Sequence, residues 1–391
     1  MNAYIIAGYR TAVAKAGKGG FRTMRPDTLA AEVIKHLVAQ IPSLDPARVE
    51  DLIVGNAIPE AEQGMQMGRY ISLMSLPVNV PGFVINRYCG SGLEAIALAS
   101  AKISSGLADC IIAGGTESMS MVPMMGHKTV LNYDLANNTP DYYIGMGLTA
   151  EEVSKIYQVT REDQDAFAFN SHQKAIAAQK AGKFDGEIVP IKVSENYFDQ
   201  NTGKKATREW IVTKDEGPRA DTSLEALAKL KPAFAMNGCV TAGNSSQTSD
   251  GAAFVMVVSE RLLKELNIEP IARMASYSTY GVEPNIMGIG PVEAVPRALS
   301  KAGLQLKDIE QIELNEAFAA QALAVIKTLN INPEIVNVNG GAIALGHPLG
   351  CSGAKLSIQL INEMSRRNQK YGIVTACVGG GQGVAGVFEK L

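Results

Sequence analysis

Cysteine is scarce in this 391-residue chain: there are five, widely spread, and no two form a CxxC pair. An odd, scattered set excludes a disulfide framework and points to a reducing compartment, read here as cytoplasmic. Long apolar runs are absent too. No segment approaches the ~18 uninterrupted apolar residues of a membrane span, so none is expected. The first residues carry no basic stretch ahead of an apolar core, so no signal peptide is expected; Ala3 to Ala7 read as a strand. Excess charge is lacking, with a formal net charge of −3, which removes the electrostatic reason to expect nucleic-acid binding. There is no P-loop and no GxGxxG opening a helix; the run Gly379-Gly380-Gly381-Gln382-Gly383 does not match that fingerprint. Histidine is rare as well, with four in the chain.

What is present fits a globular enzyme: 46% hydrophobic and 19% charged residues. At roughly 100–200 residues per domain, the length predicts two or three domains. The chain also repeats itself. Val49-Glu50-Asp51-Leu52-Ile53-Val54-Gly55-Asn56-Ala57 parallels Ile309-Glu310-Gln311-Ile312-Glu313-Leu314-Asn315-Glu316-Ala317. Each follows a helical segment, near Leu29–Ala39 and Val292–Ala302. Downstream, Ser91-Gly92 opens a helical run to Ile103, and Ser352-Gly353 opens one over Leu356–Met364. Each run leads to a strand ending in glycines, at Gly114-Gly115 and Gly379-Gly380-Gly381. The shared order of elements predicts two similar α/β halves.

Between the halves, from about Ser118 to Gln247, the pattern breaks. A Met-rich loop (Met119, Met121, Met124, Met125) is followed by one clear helix, with Thr160 as N-cap, Asp163 three residues on, and Gly182 as its stop. The rest reads as loop, with turns at Gly203-Lys204-Lys205 and Gly217-Pro218-Arg219. The segment is therefore an insertion, and the first half resumes with a strand near Asp250–Val257.

Chemistry concentrates at a few positions. Cys89, in Asn86-Arg87-Tyr88-Cys89-Gly90-Ser91-Gly92, stands where a helix should begin. A helix N-terminus lowers a thiol's pKa and offers free N–H groups to an oxyanion. Taken alone, Cys89 fits both a tuned nucleophile and an inert residue in a turn. His347 lies in the glycine-rich loop Gly340–Gly350, which the repeat brings to the position equivalent to Cys89, making it the candidate base. His36 and His172 sit in helical patterns and His127 in the Met-rich loop, so all three read as packing or surface residues. Cys377 ends an apolar strand ahead of glycines. Asn315 and Glu316 end another; Asn315 suits holding a water or an oxyanion, and Glu316 either orients His347 or is solvated. The 89–347–377 spacing lacks the local pairs of zinc modules, so no metal is expected.

These pieces resemble the thiolases over nearly the whole chain: Asn86–Leu93, Gly114–Ser120, Thr241–Ser246, Asn315–Phe318, Gly341–Pro348 and Cys377–Gly381. The resemblance implies two similar halves in a five-layered α/β/α/β/α arrangement with an inserted loop domain. Residues 1–117 and 248–267 would form the first half, 118–247 the CoA-binding insertion, and 268–391 the second half. It implies that Cys89 attacks a 3-ketoacyl-CoA and carries the acyl group. His347 would activate Cys89 and donate to the enolate oxygen, Cys377 would act as general acid and base, and Asn315 would hold the oxyanion water. The backbone N–H groups of Cys89 and Gly379 would bind the second oxyanion. More softly, it implies substrate contacts at Arg219, Ser246, Phe234, Phe318 and Met146. CoA enters as substrate, no cofactor is permanently bound, and a homodimer or homotetramer is implied, with β-oxidation enzymes as further partners. Gly145-Met146-Gly147 replaces the His-Met-Gly of many acetoacetyl-CoA thiolases; with Arg87 and Ser245–Gly251 this favours a degradative 3-ketoacyl-CoA thiolase, the alternative being an acetoacetyl-CoA thiolase. A decarboxylating ketoacyl synthase would have His or Asn at the place of Cys377. A non-catalytic acyl-CoA binder would not need all four of Cys89, His347, Asn315 and Cys377. Lys355, where the family frequently has Arg, is a further departure.

Overall fold

The computed structural model describes residues 2–391. Its strands are β1 (Ala3–Arg10), β2 (Ala14–Lys15), β3 (Asp51–Gly55), β4 (Gly82–Ile85), β5 (Cys110–Ser118), β6 (Ile191–Asp199), β7 (Lys204–Val212), β8 (Ser249–Ser259), β9 (Ala272–Gly281), β10 (Gln311–Leu314), β11 (Tyr371–Val378) and β12 (Gln382–Lys390). Nine of them form one path in the order β10-β11-β12-β9-β1-β8-β5-β3-β4, with β2 attached to β8. The path folds into two equivalent sets. In the first, β4, β3 and β5 are parallel and β8 and β1 antiparallel. In the second, a bridge at Val336, β10 and β11 are parallel and β12 and β9 antiparallel. A single pair, Ile5 with Ala272, joins the two edges.

The central layer is made by the helices Ser91–Ser104 and Leu349–Arg367. Their apolar faces share one core with strands of both sets: Leu93, Ile96, Ala99 and Ile103 meet Ala354, Ile358 and Ile361, and all lie against residues of β5, β8, β11 and β12. The helices cross almost backbone to backbone. A Cβ on Gly92 would come within 2.7 Å of Ala354 N, and one on Gly353 within 2.3 Å of Leu93 N. Glycine is required at both crossing points because no side chain fits. The outer faces are covered by the helices Pro26–Ala39 and Met67–Ser75 on one side and by Gly290–Ala302 and Ala319–Thr328 on the other. The side-chain period of two divides each strand between layers: Ile111 and Ala113 face the central helices, and Cys110 and Ile112 the outer ones. The result is the expected five-layered α/β arrangement.

The chain between β5 and β8 departs from the loop-rich expectation. The helix Arg161–Lys180 has the predicted cap, with both arms of the Thr160–Asp163 capping box formed. A second helix, Met146–Tyr157, and a hairpin, β6–β7, are also present. The turn at Gly203 is the hairpin's tip, as its composition predicts. Its strands escape sequence reading because they stand largely in solvent and lack apolar alternation beyond the end where Ile191 pairs with Val212. Arg10, at the end of β1, clamps this segment down. Its buried guanidinium binds Glu187 at 2.8 Å and takes both oxygens of Asp215 at 2.7 and 2.9 Å.

Candidate active site

The carboxyl ends of β3, β5, β10 and β11 and the starts of the two central helices converge, the place where open α/β sheets present their chemistry. Cys89 sits in a single 3₁₀ turn, Tyr88–Gly90, that runs into the helix Ser91–Ser104. Tyr88 is held at φ +41°, a left-handed conformation a tyrosine rarely adopts, and Ser91 Oγ ties the turn by accepting from Arg87 N and donating to Tyr88 O. The Cys89 thiol packs against Ala57 and Leu349 and is 3% exposed.

The backbone N–H groups of Gly379 and of Cys89 itself both favour its thiolate. These are the two groups expected to form an oxyanion site. Helix-start tuning does not, however, give the low pKa expected from sequence. Burial outweighs both N–H groups and pushes the thiol up to about 12. Cys377, the next-to-last residue of β11, is fully buried, and burial, with the Cys89 charge adding to it, raises its pKa as well. The two thiols are thus close enough to feel each other.

His347 meets the chain where it returns to the first half. Its N–H donates to Gln247 O at 3.1 Å, and it bridges Thr248. The ring lies 3.3 Å from Asn315 Nδ2 through Nε2 and 2.6 Å from Ser352 Oγ through Nδ1. Burial, aided by the Lys355 cation, pushes His347 down to about 3. Asn315 Oδ1 is buried without a protein partner. That orphaned acceptor suits a water, the role expected of Asn315.

The softer candidates divide. Phe318 and Met146 share a small cluster with Cys377. Phe234 stacks edge-on against Phe318 with centroids 6.0 Å apart, and its ring covers Gly147, where a Cβ would come within 2.1 Å of it. Ser246 N donates to Ala317 O, next to Phe318. Gly379 lies beside the Tyr88 ring and Met146. Arg219 stands apart: its exposed guanidinium faces Asp221 at 3.5 Å, and its N–H donates to buried His172 Nδ1.

Glu316 neither orients His347 nor meets water. It is buried and accepts from Ser171 Oγ, Asn337 Nδ2 and Ile343 N, holding the loop in front of His347. Glu117, near the end of β5, carries a role sequence reading missed. Glu117 Oε2 accepts from Ala57 N and Gly350 N, each at 2.8 Å, and Oε1 from Asn56 and Gln63. One carboxylate thus braces both walls around Cys89. The signal was an acid closing an otherwise apolar, glycine-rich strand. Ser352 reads in the sequence only as a helix opener.

The family model described as "Thiolase, N-terminal domain" matches residues 3–261, and that described as "Thiolase, C-terminal domain" matches 268–390. A 3-ketoacyl-CoA thiolase of Bacillus subtilis (strain 168) is 53% identical over 388 residues, covering 99% of both chains. A probable acetyl-CoA acyltransferase of Staphylococcus aureus (strain COL) is 43% identical over 399 residues, covering 99% of this chain and 98% of its own. The crystal structure of the Bacillus anthracis acetyl-CoA acetyltransferase superposes with a TM-score of 0.90 at 39% identity, covering 100% of this chain and 99% of that one. With both halves matched and the two thiols, the histidine and the asparagine gathered between them, the chain belongs to the thiolase family.

Proposed function

We propose that the protein cleaves 3-ketoacyl-CoA with CoA, giving acetyl-CoA and an acyl-CoA shortened by two carbons. The observation that carries this reading is the approach of the Cys377-Val378-Gly379 strand end to the Tyr88-Cys89-Gly90 turn, where Val378 lies against Gly90 and Gly379 against the Tyr88 ring. One thiol can hold an acyl group beside an oxyanion site while the second moves protons.

The proton account closes. Cys89 gives its proton to His347 Nε2, and its thiolate attacks the 3-keto carbon. The alkoxide forms against the N–H groups of Cys89 and Gly379. Carbon–carbon cleavage leaves acyl-Cys89 and the enolate of acetyl-CoA. His347, now an imidazolium, and a water on Asn315 hold the enolate oxygen until Cys377 protonates its carbon. Incoming CoA then gives its proton to the Cys377 thiolate and attacks acyl-Cys89. The departing Cys89 thiolate recovers its proton from His347. Splitting one displacement into two predicts ping-pong kinetics. Each oxyanion donor contributes about 3–4 kcal/mol at such sites. Run backwards, the same steps condense two acyl-CoA molecules.

In this reading residues 1–117 with 248–267 and residues 268–391 are the two catalytic halves, and 118–247 receives CoA. Phe234, Phe318, Ser246 and Met146 line the pantetheine and acyl path, and Arg219 meets the nucleotide end at the surface. A degradative role is favoured by Gly145, where the His of many acetoacetyl-specific members is missing, and by the 53% identity to a 3-ketoacyl-CoA thiolase. A homodimer fits as well: β4 is an unpaired sheet edge, and Met65, Tyr70, Leu73 and Met74 stand exposed beside it.

The test is a chain-length series of kcat/KM with CoA, from acetoacetyl-CoA to 3-ketohexadecanoyl-CoA. Turnover extending to the long chain is expected. Turnover of acetoacetyl-CoA alone would give the role to the acetoacetyl-specific alternative, and no turnover at any length would reject the enzyme reading.

A further inference from the structure

His347 is held by two different kinds of contact. Its backbone is fixed by Gln247 O and by Ser249 Oγ at 3.3 Å. Its ring makes two side-chain contacts, to Asn315 and to Ser352. Ser352 lies one turn inside the helix Leu349–Arg367, and its hydroxyl also stands 2.9 Å from Pro348 O. The geometry is fully buried, with Ser352 3% and His347 4% exposed. The charged groups facing the ring region are few. Lys355 lies one turn further along the same helix, with Nζ on Gln359 Oε1 at 3.0 Å. Glu117 from β5 is spent on Gly350 N and Ala57 N, and Glu316 turns to Ser171, Asn337 and Ile343. The thiols of Cys89 and Cys377 complete the surroundings.

A serine has one hydrogen and two acceptors here. If it goes to Pro348 O, Ser352 Oγ must accept from His347 Nδ1–H, and Nε2 is left with its lone pair. Asn315 Nδ2 then donates to Nε2, and every contact in the row has a donor and an acceptor. If the hydrogen goes to Nδ1 instead, the Asn315 amide must turn over to accept from Nε2–H. We propose that Ser352 is the positioning residue that fixes His347 in the Nδ1–H tautomer, with Oγ accepting from Nδ1 and donating to Pro348 O. This rests on the reaction proposed above, where Nε2 must carry no hydrogen of its own to take the Cys89 proton. The same Oγ then stays the acceptor for Nδ1–H when the ring becomes an imidazolium. A neutral hydroxyl thereby does what a carboxylate does behind other catalytic histidines, setting the tautomer through the far ring nitrogen.

The experiment is ¹⁵N NMR of the unliganded full chain labelled at the histidine ring, with the His347 signals identified by their loss in His347→Asn. Four histidines keep the spectrum simple. Between pH 5 and 8 the wild type should show Nδ1 carrying hydrogen and Nε2 bare. Ser352→Ala should bring in the Nε2–H tautomer and lower kcat by about 10- to 100-fold, the loss typical when a partner behind a functional histidine is removed. KM for CoA should stay within about twofold, since ground-state binding is untouched. Ser352→Thr should keep the Nδ1–H tautomer and recover most of the rate. An Nε2–H tautomer in the wild type, or an unchanged tautomer in Ser352→Ala, overturns the proposal. Should Ser352→Ala fail to fold, the wild-type spectrum decides alone. The spectrum needs no substrate, so a protein with the Nδ1–H tautomer and no thiolysis would sink the reaction reading, not this one.

Discussion

A cysteine at the start of a helix ordinarily reads as an activated thiolate, and Cys89 shows why that rule needs burial beside it. Its thiol is raised to about 12 while His347 is lowered to about 3. Both shifts favour the uncharged form, so the resting pair is a neutral thiol beside a neutral imidazole. The sign is definite: Cys89 keeps its proton below about 12 and His347 stays uncharged above about 3. Alkylation of Cys89 by iodoacetamide should therefore climb with pH from 7 to 10, about tenfold per unit, with no plateau near neutrality. A plateau between pH 6 and 8 would reveal a preformed ion pair. Cys377→Ser should lower kcat by about 10²–10⁴-fold while Cys89 still accepts an acyl group, because a hydroxyl is far too weak an acid for this proton transfer. Near-normal turnover would remove Cys377 from proton transfer. At this scale the sequence was informative where a rare residue met a special backbone: Cys89, His347 and Cys377 all stood by glycines. It is silent about Glu117 and Ser352, whose importance lies in partners 54 or more residues away or in a hydroxyl's direction.

Among elements, the two central helices set the site's dimensions. Gly92 and Gly353 let them cross with no side chain between, which brings the Cys89 turn against Leu349. Gly353→Val should force the helices apart and cost about 1–3 kcal/mol by overpacking. Thermal unfolding would register it as a lowered Tm, and an unchanged Tm would mean the crossing is not tight. The elements of both halves were legible because buried strands and amphipathic helices write their period into apolar residues. The helix Leu349–Arg367 begins three residues before the Ser352-Gly353 opening that the sequence suggests, since its first turn, Leu349-Gly350-Cys351-Ser352, carries no surface polar pattern and is buried in the site. The hairpin β6–β7 was not legible for the opposite reason. With most of its side chains in solvent, the chain has little apolar pattern to keep there.

Across the whole molecule, the ionic groups between the insertion and the second half form a buried set. Lys355 and Glu313 are both shielded from water, and burial disfavours charge on each: Lys355 is lowered and Glu313 raised. The raised carboxyl carries its proton in the fold at pH values where the unfolded chain has lost it. Its contribution to stability is full below the unfolded value and is lost as pH rises through the folded one. Glu313→Gln, which cannot ionise, should therefore gain in Tm over the wild type as pH rises from 5 to 9. A Tm difference independent of pH would mean Glu313 ionises in the fold as it does in the unfolded chain. None of this is visible in sequence, where Glu313 and Lys355 lie 42 positions apart.

The order of strands also governs how the protein is made. The first sheet needs β8 (Ser249–Ser259) between β1 (Ala3–Arg10) and β5 (Cys110–Ser118). A ribosome delivers β1 and β5 long before β8, and synthesises the whole of 119–248 in between. Until then two apolar strands wait with unpaired edges, the condition that invites wrong pairing and aggregation. The insertion is thus also a delay, placed where the nascent chain can least do without its missing strand.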